Sequence, residues 1–191
     1  SGHDGGSGED VWARVFNANG TEAVAEFRVN TYTSSYQQMP SVIGLKDGGF
    51  VLSWTSNGQD GSGYGVYAQR YDGSGAAVGG EFLVNSVTSG DQTNDTYGYG
   101  PRMVALADGR FVVTWQSYGQ DGDGNGIFGQ RYDSSGNTTG SEFQINTNTD
   151  DNTGYSSVTG LTDGGFVVTW DSDGQDGDRE GVFGQRYDSS G

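Results

Sequence analysis

Short stretches of alternating apolar and polar residues fill this chain, and they return in the same order three times. Residues 26–30 (Glu-Phe-Arg-Val-Asn) alternate with the period of a half-buried strand. Residues 41–45 follow, with a small residue at the fourth place: Gly44, and in the later copies Ala105 and Gly160. The pair Asp47-Gly48 predicts a hairpin with a type I′ turn, as do Asp108-Gly109 and Asp163-Gly164. In the next strand, residues 50–54, the side chains of Phe50, Leu52 and Trp54 share one face. Their counterparts are Phe111, Val113, Trp115 and Phe166, Val168, Trp170. A Gly-rich loop then leads to a fourth strand, residues 65–72, which ends on Gln-Arg-Tyr-Asp in every copy.

A unit of this size, repeated, is one supersecondary element stacked on its own copies. The divisions fall at residues 1–20 (a partial copy holding only the last strand), 21–75, 76–136 and 137–191. The expected fold is all-β: three four-stranded units packed as propeller-like blades, a partial or three-bladed ring completed by a second chain. A β-sandwich cut from a repeat array is the alternative. The strand at residues 10–17 is an open edge unless it finds a partner, within the chain or between chains.

Composition changes this picture in two ways. Only 31% of residues are hydrophobic and 36 are glycine, but 9 Phe, 11 Tyr and 4 Trp recur at fixed places, which favours short strands and tight turns over disorder. The net charge of −16 repels nucleic acid and anionic membranes and attracts divalent cations. No apolar run is long enough to insert in a membrane, and without cysteine there is no disulfide or thiol chemistry.

The candidate chemistry lies in the loop between the third and fourth strands. Asp121, Asp123 and Asn125 in the second copy, and Asp176, Asp178 and Glu180 in the third, fit the first half of a calcium loop of hard oxygen ligands. Asp173 is a candidate further ligand, and Asp60 is what remains of the set in the first copy. The competing reading is a set of solvated turns, because Asp and Gly dominate turns for conformational reasons. The second unit is longer, and the addition carries Tyr97 and Tyr99, candidates for stacking on a sugar or peptide beside the plainer reading of a length variant. Arg70, Arg131 and Arg186, in the repeated Gln-Arg-Tyr-Asp, are expected to tie strand to loop.

His3 is the single histidine, and no nucleophile triad or phosphate loop is present, so no enzymatic activity is expected. The third reading, after a binding or display module, is an enzyme acting on glycosides, which would need close carboxylates that depart from the repeat pattern.

The run Leu-x-Asp-Gly-Gly-Phe-Val-Val-Thr-Trp, followed by Gly-Gln-Asp-Gly, Gln-Arg-Tyr-Asp and Glu-Phe-x-(Val/Ile)-Asn, resembles repeats of large secreted bacterial proteins of the calcium-binding adhesin and hemolysin-like type. More loosely it resembles the propeller repeats of integrin α chains, although Gly129 and Gly184 stand where those loops carry a ninth-position Asp. The resemblance implies an extracellular location, rigidity supplied by Ca²⁺, and a role in adhesion, assembly or display toward a protein or glycan ligand. A lectin-like carbohydrate-binding module is the alternative.

Overall fold

The structure is a computed structural model that describes residues 8–93, 100–149 and 153–189. Among these residues every paired strand is antiparallel, and the strands form four sheets. Strands β1 (Trp12–Phe16) and β2 (Glu22–Arg28) pair alone. Strands β3 (Gln37–Gly44), β4 (Phe50–Asn57), β5 (Tyr64–Tyr71) and β6 (Ala77–Leu83) form a four-stranded meander. So do β7 (Arg102–Ala105), β8 (Phe111–Tyr118), β9 (Asn125–Tyr132) and β10 (Thr138–Gln144). The last sheet holds β11 (Thr153–Gly160), β12 (Phe166–Asp173) and β13 (Glu180–Tyr187).

The expectation of three four-stranded units is corrected by one strand. The Glu-Phe-x-(Val/Ile)-Asn segment closes a sheet rather than opening the next one. Residues 26–28 lie in β2, which pairs with β1 and not with β3. The reason is the connection: β5 turns into β6 within a few residues, closed by Asp72 N–H to the Ala76 carbonyl (2.9 Å) and by the Asp72 carboxylate, which caps Ser74 and Ala76. The strand at residues 10–17 accordingly finds its partner inside the chain, as β1 against β2.

The Asp-Gly hairpins form where expected but with a different turn. Gly48 N–H bonds the Leu45 carbonyl (3.1 Å) and Leu45 N–H bonds the Gly49 carbonyl (2.8 Å), a three-residue loop. Positive φ is confined to the glycine, at 86° in Gly48, 96° in Gly109 and 87° in Gly164. Asp47 stays at negative φ and uses its carboxylate to accept from Gly49 N–H (3.0 Å). This is a type I turn closed by a left-handed glycine, a common three-residue hairpin.

The sheets stack by one rule. Register places Phe50 opposite Tyr71, Phe111 opposite Tyr132 and Phe166 opposite Tyr187, and each pair of rings stacks at 4.7 to 5.0 Å. The Phe/Trp/Tyr face of one sheet then covers the aliphatic face of the sheet before it. Phe111, Val113, Trp115, Phe128 and Tyr132 bury Val51, Val66, Ala68 and Val84. Phe166, Val168 and Trp170 bury Val112, Ile127 and Ile145 in the same way. Strand β7 lies against both β3 and β11, so the first strands of the three larger sheets run side by side.

Candidate functional site

Most of the repeated polar residues hold the scaffold together. Asn30, Asn85 and Asn146 are buried, and each accepts the N–H of Val11, Val66 or Ile127 at 2.7 to 2.8 Å. Each also donates to a carbonyl two residues on, so the side chain stitches a fourth-strand segment to the third strand beside it. The Gln of Gly-Gln-Asp-Gly has a partner that sequence reasoning missed. Gln59 donates to Glu81 and Gln120 to Glu142. The other oxygen of Glu81 accepts from Thr31 N–H (2.8 Å), and that of Glu142 from Ser86 N–H (2.6 Å). Glutamate thus clasps the loop of its own sheet to the segment that enters the sheet. The two motifs recur together in the sequence, which was the available signal. Arg70 and Arg186 pair with Asp47 and Asp163, tying strand to hairpin as expected, while Arg131 lies over the Phe143 ring.

The acidic loops use their carboxylates locally. Asp121 turns inward, where its Oδ2 accepts from Gln144 and Asn146 at 3.3 and 3.2 Å. It packs so closely on Gly126 that a Cβ there would lie 2.4 Å from the carboxylate. Asp123 instead accepts from Gly124 N–H, Asp178 from Arg179 N–H, Asp176 from Asp178 N–H, and Asp60 from Ser62 N–H. Asn125 contributes its carbonyl to the Thr153 hydroxyl. Among the described residues no three His, Cys, Asp or Glu side chains gather as a metal centre. The loop oxygens that accept hydrogen bonds face different donors. Tyr97 and Tyr99 lie outside the described residues.

Two concavities stand out. A mainly apolar groove is lined by Trp12–Phe16, Pro40, Ser41, Val42, Phe50 and Leu52. It follows from the repeat: β1 and β2 cover only part of the first large sheet, leaving Val42 63% exposed where its counterpart Met103 is buried.

The second, of about 370 Å³, lies on the outer face of the last sheet, lined by Tyr155, Thr169, Trp170, Asp171, Glu180 and Val182. Here the repeat is broken. By register, Asp171 stands where the other large sheets have Thr55 and Gln116, and Glu180 where they have Tyr64 and Asn125. Tyr155 takes the bulge position of Met39, and both have positive φ, 42° and 55°. Asp173 and Glu180 face each other across β12 and β13, so Asp173 borders this cluster.

Burial pushes the Asp171 carboxyl above its ordinary range, and the charge of Glu180 adds to the shift. A carboxyl raised in the folded state contributes stability that is complete below its ordinary value of 3.8 and is lost as pH rises through the folded value. Asp171→Asn removes this charge. The variant is therefore expected to melt above the parent at pH 7, with the gap closing toward pH 3, in thermal scans across that range.

No protein-family model matches the sequence, and no curated protein sequence does. Solved structures do. The chain is similar to an endo-arabinase from Bacteroides thetaiotaomicron at 16% identity and a TM-score of 0.48, over 84% of this chain and 61% of the arabinase. It is also similar to a thermostable family-43 glycoside hydrolase at 10% identity and a TM-score of 0.50, over 93% of this chain and 67% of the hydrolase. The fold is therefore an all-β, propeller-like arrangement of antiparallel sheets, two of them four-stranded among the described residues, and is similar to that of the family-43 glycoside hydrolase. This corrects the expectation that the chain is not an enzyme, because the architecture is one on which glycoside hydrolysis is built. The chain spans about three-fifths of the arabinase, 61% of its length.

Proposed function

We propose that this chain is a carbohydrate-handling module of the propeller type, with its site in the pocket of Tyr155, Asp171 and Glu180. The observation that carries the reading is that three departures from the repeat meet in one concavity. At the corresponding positions the other large sheets carry no carboxylate: Thr55 and Gln116 stand in place of Asp171, and Tyr64 and Asn125 in place of Glu180. An exposed aromatic ring beside hydrogen-bonding carboxylates suits a sugar, which presents an apolar ring face and a rim of hydroxyls.

A second reading, cleavage of the bound glycan, is favoured by the raised carboxyl of Asp171. A carboxyl that holds its proton to higher pH than an ordinary Asp is better suited to protonate a leaving glycosidic oxygen, while a second carboxylate, here Glu180, supplies the base or nucleophile. Binding to a polysaccharide panel and release of reducing ends test the two readings together. Asp171→Asn is expected to abolish cleavage and to keep measurable binding. Cleavage that survives Asp171→Asn removes the second reading, and the absence of binding to any glycan removes both.

A further inference from the structure

Asp-Gly and Asn-Gly pairs recur through the turns of this chain, and each is a place where the main chain can rearrange. The rearrangement needs the glycine nitrogen to reach the side-chain carbonyl carbon of the residue before it. Among the described residues the fold prevents this at almost every pair. Gly48, Gly109 and Gly164 donate their N–H to the carbonyls of Leu45, Leu106 and Leu161, and Gly61, Gly122 and Gly177 to those of Gly58, Gly119 and Gly174, at 2.8 to 3.3 Å. Gly20 and Gly58 are tied to the carbonyls of Asn17 and Gly63. Gly126 lies within β9, opposite Ser117. Asp72 turns its carboxylate past Gly73 onto Ser74 and Ala76, and the Ser74 hydroxyl holds it below the usual carboxylate range. It therefore stays ionised, with no hydroxyl to lose.

Asp123-Gly124 differs. Gly124 N–H donates to Oδ1 of Asp123 itself, at 2.9 Å, and a nitrogen this near one carboxylate oxygen is also near the carbon that bears it. Gly124 has a φ of 30°, and Asp123 is exposed, so water reaches the pair. The third loop repeats the geometry with a different residue. Arg179 N–H donates to Asp178 at 2.9 Å, and the carbonyls of Gly124 and Arg179 accept from Gly119 and Gly174 N–H at equivalent places. There the nitrogen carries an arginine, whose side chain crowds any ring closed on it.

We propose that Asp123 is a site of spontaneous isoaspartate formation, singled out from the other Asp-Gly pairs by the contact of its carboxylate with the Gly124 nitrogen. The contact holds nucleophile and electrophile together before reaction, and such placement accelerates ring closure. In the protonated acid the Gly124 nitrogen adds to Cγ, so that the N–Cγ bond forms and the Cγ–OH bond breaks. The hydroxyl leaves as water with the proton of that nitrogen, which closes a succinimide. Water then adds to one of the two ring carbonyls. Opening at Cγ restores Asp123. Opening at the main-chain carbonyl leaves the chain running through Cγ, one methylene longer, with a free carboxylate on Cα. The added methylene lies beside Asn125, whose carbonyl accepts from the Thr153 hydroxyl at 2.5 Å, so the modification acts on the contact between the second and third large sheets. This inference is independent of the carbohydrate reading.

The test ages the whole folded chain in neutral buffer and digests samples with an endoproteinase that cuts before Asp but not before isoaspartate. Cleavage before residue 123 is expected to be lost at least about tenfold faster than cleavage before Asp60, Asp121 or Asp163. In chain kept unfolded in urea the four sites are expected to react at similar rates, because the contact is gone. Arg179→Gly supplies the converse. It gives the third loop the same pair, and loss of cleavage before Asp178 is expected to rise about tenfold over the parent. Loss at Asp123 no faster than at Asp60 and Asp121 in the folded chain overturns the proposal. So does a preference for Asp123 that persists in urea, or an Arg179→Gly variant in which Asp178 reacts no faster than before.

Discussion

Trp115→Ala is expected to lower the melting midpoint by on the order of 10 °C. The ring is 1% exposed and fills the space between the two four-stranded sheets, against the aliphatic face of Val51, Val66, Ala68 and Val84. Deleting a buried Trp costs about 3–5 kcal/mol, the lost transfer energy plus the cavity that the sheets cannot close. That is a large share of the roughly 5–15 kcal/mol that separates folded from unfolded domains. Val182→Ala is the matched control. It alters an aliphatic position of the same repeat that is 83% exposed, and its expected effect lies within about 0.5 kcal/mol. Thermal and urea unfolding of the two variants checks the stacking rule. Equal effects would mean that the sheets do not pack as described.

Asn85→Ala is expected to cost about 2–4 kcal/mol, although it removes few apolar contacts. The side chain accepts from Val66 N–H at 2.7 Å and donates to the Val87 carbonyl at 2.9 Å and to Gln92 at 3.2 Å, all in a buried setting. Alanine leaves the Val66 N–H without an acceptor where water cannot reach it, and an unmade buried bond costs more than a made one contributes. Asn85→Asp separates the two halves of the role. It keeps the acceptor but loses both donations and sets a buried carboxylate against the Val87 and Gln92 oxygens, so a loss at least as large as that of Asn85→Ala is expected in urea titration at pH 7. A loss below about 0.5 kcal/mol for Asn85→Ala would contradict the assignment of this residue as the stitch between third and fourth strands.

The parts of the fold that were legible in the sequence are those written in local pattern. The Phe-x-(Leu/Val)-x-Trp strands and the Asp-Gly hairpins announce themselves through alternation and turn chemistry, and they lie where the alternation puts them. The phase of the repeat was harder to read, because residues 26–30 alternate equally well as a first or a last strand. Only the tight Asp72 turn, set against the longer link from Asn30 to β3, decides between them. The turn type was misjudged because Asp-Gly suits two hairpins, and the choice depends on whether Asp47 spends its carboxylate on Gly49 N–H.

The candidate site was legible only in pieces. In the sequence Asp173 and Glu180 stand out only as members of an acidic run around a loop, and Asp171 is not set apart there. That Asp171 and Glu180 instead sit on adjacent strands of one face, with Tyr155 beside them, is fixed by the register of β12 with β13 and by the bulge in β11. Neither is a property of a single stretch of sequence. The pairing of β9 with β10 likewise explains why the loop carboxylate of Asp121 turns out to serve the scaffold, since Gln144 and Asn146, which donate to it, lie more than twenty positions away in the sequence.

The proposed carbohydrate site is the place where Tyr155, Asp171 and Glu180 depart from the repeat. Titration calorimetry on the glycan that binds best in the polysaccharide panel tests it most directly, with the parent chain compared against Tyr155→Ala and Glu180→Gln. Both positions are exposed, so neither substitution is expected to unfold the protein. Each is expected to weaken binding by about tenfold or more. Unchanged affinity in both variants, or no glycan bound by the parent chain, would contradict it.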